Sequence, residues 1–149
     1  MSLSEHFSLD ELTTSQEATR HNIKNTPSPA VVENLRMLAA LLEQVRTLLG
    51  SHSIHISSGY RSLALNRYIG SNDTSAHIRG YAADFTCPAF GKQIEVAKKI
   101  AESNLKFDQL IYESGTNPWV HISCDPQNRR QLLTARFKSG KAYYTTGIA

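Results

Sequence analysis

The chain is short of cysteine, of long apolar runs and of charge of one sign, and each shortage excludes a class of protein. Two cysteines in 149 residues, Cys87 and Cys124, do not make a disulfide framework. They stand three residues after Asp84 and three after His121, so they can pair, bind metal or lie buried as small apolar side chains. Burial is the default for free cysteine. No apolar run is long enough to span a bilayer, and residues 1–5 carry no apolar signal core. The expectation is therefore synthesis in the cytoplasm without a signal peptide, and no transmembrane segment. Lys and Arg number 16 against 13 Asp and Glu, a net charge of only +3. With Arg129-Arg130 as the one adjacent arginine pair, there is no basic stripe of the kind that binds nucleic acid.

What is present is ordinary for one globular domain: 40% hydrophobic and 19% charged residues over a length that suits a single core. The organisation expected is a helical segment over about 8–50, a core over about 54–124 and a tail over 125–149. Ser8-Leu9-Asp10-Glu11 is a capping box that predicts a helix through about Thr19, with Phe7 and Leu12 as its hydrophobic staple. Ser28-Pro29 starts the clearest helix. Val31, Leu35, Leu38, Leu42, Val45 and Leu49 make its apolar stripe, and Gly50 ends it. Ile54 to Ser58 alternates as a strand, and Ser62 to Ile69 forms a short helix closed by Gly70. Tyr81 to Thr86 reads as a buried strand and Lys92 to Ser103 as a second amphipathic helix. Phe107 to Tyr112 and Trp119 to Cys124 form a hairpin, and a last strand covers Gln131 to Phe137. Helices and strands without regular βαβ alternation argue the α+β class.

The chemistry concentrates in Ser75-Ala76-His77-Ile78-Arg79-Gly80-Tyr81-Ala82-Ala83-Asp84, answered downstream by Trp119-Val120-His121. Two imidazoles and a carboxylate are a common ligand set for catalytic zinc, which keeps a fourth position open. His77 and Asp84 are too far apart for one helical turn and suit a loop followed by a strand. His121 comes from the hairpin, so the site is stitched from separate pieces.

Around these residues stand Ser58-Gly59-Tyr60-Arg61-Ser62, Leu65-Asn66 and Gly70-Ser71, then S-x-H-x-x-G-x-A-x-D from Ser75 to Asp84 and W-x-H from Trp119 to His121. Together they resemble the zinc D-Ala-D-Ala carboxypeptidase family of cell-wall peptidases (peptidase M15-like), and most closely its phage and prophage branch. The likeness runs from about Leu9 to the tail. It implies the hedgehog/DD-peptidase fold, a small antiparallel sheet with helices packed on one side, and one zinc ion held by His77, Asp84 and His121. It further implies a monomeric hydrolase of peptidoglycan stem peptides, acting at the bacterial cell wall once released or carried by a phage particle. A non-catalytic binding module or a virion component on the same fold is the alternative.

Some further roles follow from the resemblance and the others from where the residues stand in the chain. Arg61 matches the arginine that binds substrate and steadies charge on the carbonyl oxygen, a task suited to a permanently charged guanidinium. Ser75 matches a substrate-touching position, and Tyr60 and Trp119 are expected to wall the pocket. Gln109 and Asp108 are expected to orient a ligand histidine from behind. Many members carry an acidic residue as base three positions before the last histidine, but here that position is Pro118. Glu113, across the hairpin from Trp119 and on the side of His121, is the substitute expected to act as general base.

Overall fold

A computed structural model of the chain describes residues 1–149. Ser8 caps the first helix, α1 (Leu9–Thr13), accepting a hydrogen bond from the Glu11 N–H at 3.1 Å. Phe7 and Leu12 are both buried in the core, as a staple requires. The helix does not run to Thr19. The Thr13 and Thr14 hydroxyls donate to the carbonyls of Leu9 and Asp10 at 2.8 and 2.5 Å. Ser15 then caps a separate helix, α2 (Gln16–Arg20), accepting from Ala18 N–H at 3.2 Å. Short hydroxyl side chains compete for backbone groups and favour helix ends over helix interiors, which is why one expected helix is two.

Helix α3 (Pro29–Leu48) begins at the Ser28 cap and buries Leu35, Leu38, Leu42 and Val45 of its predicted stripe. Helices α4 (Leu63–Tyr68) and α5 (Gln93–Ala101) complete the helical set, and α5 packs on the hairpin strands β3 (Gln109–Glu113) and β4 (Trp119–Ser123). The remaining strands are β1 (His55–Ser58), β2 (Ala82–Thr86), β5 (Gln131–Lys138) and β6 (Lys141–Thr146), in the sheet order β1-β2-β4-β3-β5-β6. The α+β class holds, with one amendment: the sheet is mixed rather than wholly antiparallel, because β3 and β5 pair in parallel. After β4 the chain crosses to the far side of β3 and sets out again from the same end. Strand β6 follows through a tight turn at Ser139 and Gly140, both with positive φ, and was not anticipated.

The crossing is anchored by the arginine pair, which serves the fold. Arg129 forks onto Asp108, with Nε and Nη2 donating at 2.9 and 2.8 Å. Arg130 donates to the carbonyls of Ser103 and Leu105 and lies over the Phe107 ring, 4.8 Å from its centroid. The Asp108 side chain is 3% exposed and that of Arg129 50%. Arg129→Ala strands the carboxylate and is expected to cost about 1–3 kcal/mol, nearer the lower end because solvent screens the guanidinium. Hydrogen bonds from Arg129 hold the Asp108 carboxyl below its ordinary value, against burial. The folded value lies below the unfolded one, so this stability is fully present above about pH 4 and is lost as pH falls through the folded value. Urea melts of both proteins should converge in acid; a gap that stays constant with pH would contradict the assignment.

Alternation along the strands divides the sheet. Ala83, Phe85, Leu110, Val120 and Ile122 enter the core with the apolar faces of α3 and α5. The residues between them, including Asp84, Ile111, Glu113, Trp119 and His121, face the other way. The helical core sits behind the sheet and the candidate site in front.

Candidate metal centre and active site

His77 lies in a 3-10 turn, Ala76–Arg79, begun by Ser75, whose hydroxyl accepts from the His77 N–H at 3.3 Å. Gly80 closes the turn at φ 78°, and a Cβ there would stand 2.9 Å from Val31 Cγ1. Only glycine combines that backbone with that approach to α3. Asp84 and His121 are directly opposite each other on β2 and β4. The turn brings His77 onto this cross-strand pair.

The ligand atoms of His77, Asp84 and His121 lie within 4.8 Å of one another. Asp84 Oδ1 is 2.9 Å from His121 Nδ1 and 3.3 Å from His77 Nε2, and the two rings meet edge-on at 5.2 Å. His77 Nδ1 is 2.7 Å from the Gly59 carbonyl oxygen, which can only accept, so Nδ1 carries the hydrogen. Burial pushes the His77 imidazolium down in pKa, against the attraction of Asp84. Burial alone would raise the Asp84 carboxyl, but the charge and hydrogen bonds of His77 and His121 hold it well below the usual range. Two imidazole nitrogens converge on one carboxylate oxygen, and nitrogen with carboxylate oxygen is the donor set zinc favours. The residues fit a metal ion.

The Gly59 carbonyl orients the His77 ring, and a Cβ on Gly59 would collide with the Leu12 carbonyl. Gly59→Ala is expected to destabilise by about 1–3 kcal/mol and to weaken metal affinity by about 10–100-fold. Thermal melts with and without added metal check both effects; wild-type behaviour in both would count against this account.

The three residues open onto a cavity of about 310 Å³ that also takes Arg61, Ser75, Glu113 and Trp119 of the expected set. Arg61 Nε is buried without a hydrogen-bond partner, and burial lowers the guanidinium pKa against the pull of Asp84. Glu113 pairs with Trp119 in the hairpin register, as expected, across a connection of five residues, Ser114 to Pro118. Burial and the Asp84 charge push the Glu113 carboxyl up, with His121 opposing.

Three expected placements differ. Tyr60 does not wall this cavity; it packs against the core and lines a neighbouring groove with Glu11, Glu17 and His55. Arg61, its neighbour, reaches both that groove and the cleft. Asp108 does not orient a histidine, because Arg129 engages both its oxygens. Gln109 lines the cavity, but its amide donates to Gln131 Oε1 at 2.7 Å rather than reaching an imidazole. The group behind His77 is the Gly59 carbonyl, a backbone atom with no sequence signal beyond the glycine itself. Sequence reasoning also missed Tyr144 of β6, which lines the cavity. The signal was available: Ser139-Gly140 between two β-prone runs is a hairpin pattern. Cys87 is buried and Cys124 partly so; both are free, and burial pushes the Cys124 thiol up to about 12. Neither belongs to the ligand group.

No helix is long and apolar enough to cross a membrane. Comparison with curated proteins gives no match. A family model described as peptidase M15 matches residues 5–123, which carry every candidate ligand and end before β5. That match spans most of the chain and meets a histidine–aspartate–histidine group compatible with a metal ion, so the chain belongs to the peptidase M15 family, metal-dependent peptidases of the zinc D-Ala-D-Ala carboxypeptidase kind.

Proposed function

We propose that the protein is a zinc peptidase hydrolysing an amide bond in peptidoglycan stem peptides, as a D,D-carboxypeptidase or a related endopeptidase. The observation that carries the reading is the convergence of His77 Nε2 and His121 Nδ1, at 3.3 and 2.9 Å, on one Asp84 oxygen at the edge of an open cleft. His77, Asp84 and His121 would hold the ion. When bound, zinc supplies Lewis-acid chemistry, acidifying water and polarising a carbonyl.

The chain's own residues account for the rest. Arg61, with an unengaged Nε, donates to the substrate carbonyl oxygen and follows the negative charge that develops there. Glu113 stands in the same cavity with no basic partner of its own; as base it takes a proton from the attacking water and returns it to the leaving amine. Ser75 and Trp119 line the cleft and position the peptide. The mildly basic surface, +3 overall, suits approach to an anionic polymer. The protein acts as a monomer, at the cell wall, when released or carried in a phage particle.

Incubation of the zinc-loaded protein with defined muropeptides, read by mass spectrometry, tests this. Loss of terminal D-alanine supports the carboxypeptidase form and loss of a cross-link the endopeptidase form. No mass change in any substrate would sink the peptidase reading.

A further inference from the structure

The last hairpin, β5–β6, lies beyond the segment shared with the family, yet it reaches the cleft. Trp119 pairs with Glu113, Glu113 with Ala135 and Ala135 with Tyr144, one row across four strands and on one face. Ala135 offers only a methyl group and is fully buried, so the Tyr144 ring is free to lean over it toward Glu113. Tyr144 is 56% exposed; partial burial, then the charges of Glu113 and Asp84, push its phenol above the usual range, so it is a protonated donor at neutral pH. No hydrogen bond from the chain engages its hydroxyl.

Arg61 also lines this cavity and follows β1, at the other end of the strand order from β6, with Asp84 on β2 and His121 on β4 between them in that order. Resting on the peptidase reading above, this order gives the substrate a direction. The carbonyl oxygen lies toward Arg61 and the departing amine toward Glu113. The residue that leaves with that amine is then held between Glu113 and Tyr144. If it ends the peptide, its carboxylate arrives beside two acids and needs a donor that is not itself acidic by pH 7.

We propose that Tyr144 is a substrate-binding residue whose hydroxyl donates to the terminal carboxylate of the peptide, on the leaving-group side of the cleft. It makes free chain ends preferred over blocked ones, and it is a specificity residue supplied by the last hairpin.

Trp119 is the single tryptophan of the chain and lines the same cavity, so its fluorescence reports occupancy without turnover. The probe is a D-Ala-D-Ala analogue with a non-hydrolysable linkage in place of the amide, presented as free acid or as carboxamide to zinc-loaded protein. Wild type is expected to bind the acid about 10–100-fold more tightly, the worth of a hydrogen bond to a charged group. Tyr144→Phe should erase that preference while leaving carboxamide affinity and thermal midpoint unchanged. A variant that keeps the preference, or a wild type that shows none, overturns the proposal. The muropeptide assay judges the peptidase reading separately: Tyr144-dependent acid binding without any cleavage would sink that reading and keep this one.

Discussion

Asp84→Asn is expected to abolish turnover and to weaken metal affinity by on the order of 100-fold or more, beyond the loss usual for a residue that merely orients a ligand. One oxygen of Asp84 is shared by His77 and His121, so it is the hub of the candidate centre. An amide of the same shape removes its charge while keeping a polar partner for both rings. The metal-free variant should therefore fold as well as wild type. The distinguishing measurement is the thermal response to zinc. At a hundred times its dissociation constant, a ligand bound only by the folded state adds about 2.7 kcal/mol. In a chain of this size that is roughly 5–10 °C. Wild type should show that rise and lose it to a chelator; Asp84→Asn should show little of it. A variant that keeps both the rise and the turnover would remove Asp84 from the centre.

Glu113→Gln is expected to lower kcat by about 100- to 10,000-fold with the zinc-induced thermal shift intact. The glutamine keeps the volume and the hairpin register but cannot accept a proton. The usual acid position is Pro118, so no second carboxylate stands three residues before His121 to compensate. Turnover near wild type would place the base elsewhere. If both proteins bind zinc and peptide yet neither cleaves, the fold is serving as a binding module, for which Pro118 is the supporting feature.

The site was legible in unequal parts. Ser8 and Ser28 were readable as caps, and each accepts from the N–H three residues on; Ser62, read as the first residue of a helix, turns out to cap it in the same way. The α3 stripe was readable because a helix repeats its buried face every few residues. His77, Asp84 and His121 were readable as a group through their flanking pattern, and the folded chain gathers their ligand atoms. Glu113 could be placed because a hairpin register is short-range. The single helix expected to reach Thr19 failed at the same scale, since Ser15 is as good a cap as Ser8 and the capping box alone does not say where a helix stops.

Sequence by itself, then, determined helices α3, α4 and α5, the β3–β4 hairpin and the identity of the candidate ligands, all of which depend on neighbours a few residues apart or on a compact motif. Only the tertiary structure decided the parallel pairing of β3 with β5, the diversion of Asp108 to Arg129 and the entry of Tyr144. These depend on which side of β3 the chain takes after Ser123, and either side satisfies the same alternation of apolar and polar residues. What selects one is the grip of Arg129 and Arg130 on groups at residues 101–108, contacts between segments more than twenty residues apart that no local pattern encodes.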